Sequence, residues 1–265
     1  MSNLIDGQPT LTSPPSSQSC AGRLVGSVVP CENLSLADRN RMYELLCAYF
    51  EATRRSQFEK DLAEKESTVV LRDANDGQIQ GFSTIARMEI TVDSREIVAF
   101  FSGDTIVAKE YWGETILSRL WSQTVFAEAD LIVADRPFVE VYWFLICSGY
   151  KTYRFLPVFF REFYPCPTRK SPSNHKRILD ALGKARFGNE YDMESGIVRF
   201  AHAVPLRPGI AEITDRRLSD PMVAFFHGVN PGHAQGDELA CITRISRSNV
   251  TRAGERMLAS QNGFE

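Results

Sequence analysis

The chain has 265 residues, 43% of them hydrophobic, and a formal net charge of −3, so it can bury a substantial core and lacks the basic excess of a general nucleic-acid binder. No run of about 18 apolar residues is present to span a bilayer. Cys20, Cys31, Cys47, Cys147, Cys166 and Cys241 form no C-x-x-C pair and follow no metal-ligand rhythm, which favours reduced structural thiols in a cytoplasm, with no metal expected.

Residues 1–30 are rich in Ser, Pro, Gly and Gln, with neither a basic start nor a continuous apolar segment, and read as a flexible tail to about Val28. From Arg39 to Lys65 the apolar positions follow helical spacing: Met42, Leu45, Leu46, Tyr49 and Phe50 form one stripe, Phe58 and Leu62 a second. A pair of helices is expected there. Ser67 to Asp73 reads as a strand, Ala74 to Gly77 as a hairpin turn, and Ile79 to Ile90 as its partner. Asn75, Asp76 and Gly77 tolerate the positive φ such turns need. A second turn near Asp93 and Ser94 leads into a long strand ending at Val107. A short loop containing Gly113 follows, then an amphipathic helix. A helix N-terminus placed at the end of a strand offers unpaired N–H groups and a positive dipole end, which suits a pyrophosphate or similar anionic carrier.

Two assignments fit the next segment. In the first, Val141 to Ile146 is a buried fifth strand and Gly149-Tyr150 opens a fourth helix over Tyr153 to Phe163, with Pro157 in its first turn or kinking it. In the second, Pro137 to Cys147 is the helix and Tyr150 to Phe155 a strand. Further on, Lys176 to Gly183 reads as a short helix with a glycine stop, and Gly196 to Phe200, Ile210 to Ile213 and Glu238 to Ile245 read as strands.

Helix pair, antiparallel meander, loop and helix follow one another over roughly residues 34–165 in an order that resembles the GNAT superfamily of N-acyltransferases. The approach to the loop, Val107-Ala-Lys-Glu-Tyr-Trp-Gly113, carries the resemblance. Three positions depart from the family's Arg/Gln-x-x-Gly-x-Gly/Ala loop: Trp112 stands at the usual basic position, and Thr115 and Leu117 where later glycines belong. The resemblance implies an α/β fold with a mixed, mostly antiparallel sheet, split near the ends of the fourth and fifth strands. On this reading residues 1–30 are a tail, 31–165 the acyltransferase core, and 166–265 a C-terminal elaboration that completes the sheet and covers the pocket.

It also implies N-acyl transfer from acyl-CoA or an acyl carrier protein to a primary amine of a small molecule or peptide. The carrier would lie against Ile106, Val107, Lys109, Trp112, Gly113, Glu114 and Thr115. In the family a carboxylate on or near the fourth strand often serves as base and a tyrosine near the fourth helix as acid, which points to Asp104 and to Tyr150, with Tyr142 behind it. Set among Phe100, Phe101, Ile106 and Val107, an acidic Asp104 would have its pKa raised by burial; equally, it would accept hydrogen bonds at a bulge marked by Gly103. Phe101, Trp143, His227 and His233 are expected at the substrate, the last two in a polar glycine-rich loop. The aromatic cluster running from Tyr142 to Tyr164, with Phe100 and Phe101, either fills the core or lines a tunnel for a long acyl chain, each buried methylene contributing about 0.8 kcal/mol. Arg154, Arg161, Arg169, Lys170, Lys176 and Arg177 offer a basic face for an acidic carrier protein. Two other readings stay open: a non-catalytic acyl-ligand-binding or regulatory protein, and an acyltransferase like the autoinducer synthases. A homodimer is compatible with all three.

Overall fold

In the computed structural model, residues 24–169 and 172–259 are described. The expected tail therefore lies outside the described residues up to position 23, and from there the chain is ordered: Leu24–Pro30 forms β1, paired antiparallel to β2, Ser67–Asp73. Leu24, Gly26 and Val29 are half-buried among exposed neighbours, an irregular pattern that with the Gly/Ser/Pro content hid the strand.

Between these strands run α1, Leu36–Tyr49, and α2, Arg55–Ala63. Ser35 caps α1 by accepting from the Asp38 N–H, and Met42, Leu45 and Leu46 are buried at i, i+3 and i+4. In α2, Phe58 and Leu62 are the buried pair. β3, Ile79–Val92, and β4, Arg95–Val107, complete the meander. Asp93 (φ +50°) and Ser94 (φ +63°) both take the left-handed conformation that a tight two-residue hairpin requires.

From β4 the chain enters α3, Ile116–Asp135, through a short turn at which Gly113 has φ +103°. It returns as β5, Glu140–Cys147, which settles the two assignments in favour of the strand. β5 lies parallel to β4. The fourth helix is shorter than expected: α4, Tyr150–Tyr153, breaks at Arg154 and α5, Phe155–Phe159, contains Pro157 in its first turn, where the missing N–H is not needed. Phe160 to Phe163 lie beyond it, outside any helix.

The remaining segment supplies α6 (His175–Phe187), β6 (Tyr191–Asp192), β7 (Ile197–Val198), α7 (Asp215–Leu218), α8 (Pro221–Val229), β8 (Glu238–Arg244) and α9 (Arg252–Leu258). Gly183 does not stop α6. It lies inside the helix because the Tyr191 ring packs where a side chain would be, 2.7 Å from an ideal Cβ, and Gly188 (φ +56°) ends the helix instead. Ile210 to Ile213 is not a strand among the described residues, although it has strand composition.

The sheet has eight strands in the order β1-β2-β3-β4-β5-β8-β7-β6, antiparallel throughout except for β4 against β5. It is the mixed, mostly antiparallel α/β arrangement expected. Side chains alternate between its two faces. Val69, Val98, Phe100, Trp143 and Leu145 pack with α3 on one face, where Trp121 and Trp143 meet at 4.8 Å between ring centroids. Phe82 and Ala86, two steps of two residues apart on β3, mark the other face: α1 and α2 cover its Phe82 end together with Val70 and Ile106, and α6 covers its Ala86 end together with Phe101, Tyr142, Phe144 and Ile242. The aromatic cluster is therefore divided between opposite faces and does not line one tunnel. Among the described residues no helix is long and apolar enough to cross a membrane.

Candidate active site

The parallel pairing of β4 and β5 ends at Ser102↔Leu145, yet β4 runs on to Val107 and β5 to Cys147. The sheet is thus split at this end, and the β5-facing edge of β4 beyond Ser102 has no strand partner among the described residues. Such an edge offers unpaired backbone N–H and C=O groups to an extended ligand. Ile106 turns into the α1/α2 core, and Val107 gives its carbonyl to the Trp112 indole N–H at 2.8 Å.

A bulge lies at the root of the split. Ile85 pairs with Ser102 but Ser83 with Thr105, so β4 carries an extra residue at Gly103–Asp104. Lys65 and Thr84 pack against Gly103 so closely that a Cβ there would lie 2.6 Å from the Lys65 Cε and 2.5 Å from the Thr84 Oγ1. Asp104 is half-buried, and desolvation lifts its pKa while the Lys65 ammonium pulls it down and the Asp61 carboxylate pushes it up. Asp104 therefore sits on a bulge at the root of the split.

Across the split stands Glu238, the first residue of β8. Burial raises its carboxyl to about 8, a Ser148 hydrogen bond works the other way, and the like charge of Asp104 adds to the rise. Sequence reading placed Glu238 only as an acidic neighbour of His227 and His233; the β5–β8 pairing, running to Cys147↔Leu239, sets it at this end of the sheet.

The loop side of the site also departs from expectation. The turn before α3 has no side-chain cap, leaving its first N–H groups to other partners. Lys109, Trp112, Gly113, Glu114 and Thr115 are exposed there, whereas Leu117 is buried in the first turn of α3. The Lys151 ammonium of α4 lies 4.0 Å from the Trp112 ring centroid. Lys151 also lines a cavity of about 520 Å³ with Tyr150, Arg154, Arg216 and Arg217, opposed by Glu212 and Asp220. Burial and the cations Arg217 and Lys109 lower the Lys151 pKa. Neither periodicity nor motif singled out Lys151, Arg216 and Arg217 as lining this cavity; the Arg216-Arg217 pair was the available signal.

Of the remaining expected residues, Tyr150 opens α4 and forms part of this cavity, with the Arg217 guanidinium 5.9 Å from its ring centroid. Tyr142 is not at the split. It pairs with Ala99, three positions before Ser102 on β4, and its hydroxyl donates to Glu140 at 2.7 Å. Burial and Glu140 raise its pKa. Trp143 faces α3, its indole N–H donating to Ser102 Oγ at 2.9 Å, so a core role accounts for it. Phe101 packs with Phe144 and Phe187 on the α6 face, beside the bulge. His227 lies in the last turns of α8, not in a loop, and meets His233 with ring centroids 5.6 Å apart. Among the described residues no group of three or more His, Cys, Asp or Glu is placed to hold a metal ion.

Four residues of the expected basic docking face have carboxylate partners. Arg154 pairs with Asp220, Lys176 with Asp180 and Arg177 with Asp93, Arg161 reaches Glu255 at 4.0 Å, and Lys170 lies outside the described residues.

No protein-family model matches the chain, and no curated protein matches it. Solved structures similar to it include the GNAT family N-acetyltransferase YhbS from Escherichia coli in complex with CoA, at 15% identity over 57% of this chain and 71% of that one, with a TM-score of 0.33. A probable N-acyltransferase from Enterococcus faecalis is 12% identical over 83% of this chain and 65% of its own, with a TM-score of 0.40. NAA60 of Arabidopsis thaliana in complex with acetyl-CoA is 17% identical over 49% of this chain and 82% of its own, with a TM-score of 0.36. The likeness is one of chain course, and the chemistry rests on this chain's own residues.

Proposed function

We propose that this protein transfers an acyl group from an acyl thioester, coenzyme A in the first instance, to a primary amine. The observation that carries the reading is the split between β4 and β5, with a carboxylate on a bulge at its root and a cationic cavity at its side. The unpaired edge of β4 suits the amide-rich arm that carries the thioester. Lys151, Arg216, Arg217 and the uncapped start of α3 suit its phosphates.

Asp104 then takes a proton from the acceptor ammonium, its raised pKa bringing it nearer working pH. The freed amine attacks the thioester carbonyl, a C–N bond forms, and the C–S bond breaks. Tyr150 gives its proton to the leaving thiolate and is reprotonated by the one the new amide nitrogen sheds. An acyl carrier protein presents the same phosphopantetheine arm, but its acidic surface would need a free basic face, which favours the coenzyme. A long acyl chain remains compatible with the apolar α6 side of the split, where Phe101, Phe144 and Phe187 gather.

The test is thiol release from acetyl-, octanoyl- and palmitoyl-CoA with an added primary amine, for wild type and Asp104→Asn. Amine-dependent release that falls at least 100-fold in the variant supports the reading. Thioester binding without release by any amine would favour the non-catalytic ligand-binding alternative, for which Thr115 and Leu117 in place of glycines speak.

A further inference from the structure

We propose that Trp112 is a latch on the path of the donor's arm: its indole closes the last backbone acceptor on the open edge of β4, and an acyl thioester displaces it to bind. The inference rests on the acyl-transfer reading for the identity of the site and adds the residue that gates it.

Strand register decides where that acceptor points. Ala108 donates its N–H to the Gln80 carbonyl at 2.7 Å, and Ile106 stands opposite Phe82, so residues 106 and 108 turn their backbone groups toward β3. Val107, between them, turns its own to the other edge of β4, the edge that β5 leaves free after Ser102. An extended ligand running from the bulge at Gly103 toward the start of α3 passes this residue. The Val107 carbonyl is already taken. The Trp112 indole N–H donates to it at 2.8 Å, so a side chain from the turn lies where an amide N–H of the arm would pair.

Two neighbours hold the indole in this position. The Lys151 ammonium, itself fixed by donation to the Ile210 carbonyl at 2.6 Å, lies 4.0 Å from its ring centroid, and the Tyr49 ring of α1 lies 6.1 Å away between centroids. Neither contact buries it: Trp112 is 42% exposed, whereas Trp121 and Trp143 are 6% and 9% exposed in the core. Gly113, next in the chain, has nothing within 4 Å of an added Cβ, so the turn has open space around it. A side chain that is held but exposed, in an open turn, can leave without disturbing the core. Its hydrogen bond and cation contact are then what the donor has to offset, and the apparent affinity is reduced to the fraction of molecules in which the latch is open.

The experiment is calorimetric titration of the full chain with three probes: coenzyme A, pantetheine as the arm without the nucleotide, and adenosine bisphosphate as the phosphate end without the arm. Wild type is compared with Trp112→Phe, which keeps an aromatic ring for Lys151 and loses the N–H. We expect the variant to bind coenzyme A and pantetheine about 5-fold more tightly, the scale of one lost hydrogen bond, and adenosine bisphosphate as wild type does. In wild type, coenzyme A should raise the quenching of tryptophan fluorescence by acrylamide, because Trp112 swings out while Trp121 and Trp143 stay in the core; this readout needs no variant to fold. Unchanged or weaker binding of coenzyme A and pantetheine by Trp112→Phe, a gain that extends equally to adenosine bisphosphate, or quenching that coenzyme A leaves unchanged or lowers overturns the latch. Coenzyme A that binds neither protein would overturn the donor reading and the latch with it; amine-dependent turnover in wild type with no gain in the variant would overturn this inference alone.

Discussion

The Lys151 ammonium stands 4.0 Å from the centroid of the Trp112 ring, so the turn that opens α3 and the turn that opens α4 are joined by a cation–π contact. Residue 112, where a basic side chain is expected in the loop, meets a cation from 39 positions later in the chain. Lys151 also donates to the Ile210 carbonyl at 2.6 Å, which fixes the ammonium at the rim of the cationic cavity.

Replacing Lys151 by Ala removes a charge from the anion-binding side and leaves the core untouched. We expect CoA affinity measured by calorimetry to fall by about 10-fold or more, consistent with loss of about 1.5–3 kcal/mol from a charged hydrogen bond. Lys151→Arg should keep most of it. A Lys151→Ala protein that binds CoA as wild type does would remove this cavity from the donor site.

Glu238 makes stability depend on pH in a particular direction. Its folded pKa, about 8, lies above its ordinary value of 4.5, so between these limits the folded protein holds a proton that the unfolded chain has released. Its contribution is therefore fully present below about 4.5 and is lost as pH rises toward 8. Thermal unfolding should show the Glu238→Gln variant gaining on wild type as pH is raised from 5 to 8. A constant difference in Tm across that range would contradict the desolvated placement of this carboxyl.

Gly183→Ala tests the packing of α6. A Cβ at this position would sit 2.7 Å from the Tyr191 ring, whose hydroxyl donates to Asp180 at 2.9 Å, so the ring has little freedom to retreat. Overpacking of this kind costs about 1–3 kcal/mol, more than the helix propensity gained. Urea unfolding is the measurement, and a stabilised variant would mean that the ring shifts freely.

At Gly113 the constraint is the backbone. Nothing lies within 4 Å of an added Cβ, but φ is +103°, so Gly113→Ala strains the turn without any clash. A cost of about 1–3 kcal/mol is expected, together with weaker CoA binding as the start of α3 shifts. Loss of stability with unchanged CoA affinity would separate the turn from the donor site.

The sequence by itself determined the order of elements from α1 to α3. Period-3.6 stripes at Met42, Leu45 and Leu46, turn residues at Asp93-Ser94 and the β-branched run of β4 are local signals, written within a few residues of where they act. It also singled out Asp104 and the loop at Gly113, because both lie on that locally encoded stretch. Local signals failed where partners come from afar. Gly183 looked like a helix stop until Tyr191 filled the space above it, and Leu24–Pro30 looked like tail until β2 paired with it. The candidate site was decided in the same way: β8 pairs with β5 across 91 or more residues of intervening chain and brings Glu238 opposite Asp104, while α4 brings Lys151 to Trp112. A carboxylate gains a raised pKa, and a lysine an aromatic ring, only from neighbours that the fold supplies, so this chemistry is a property of the tertiary structure.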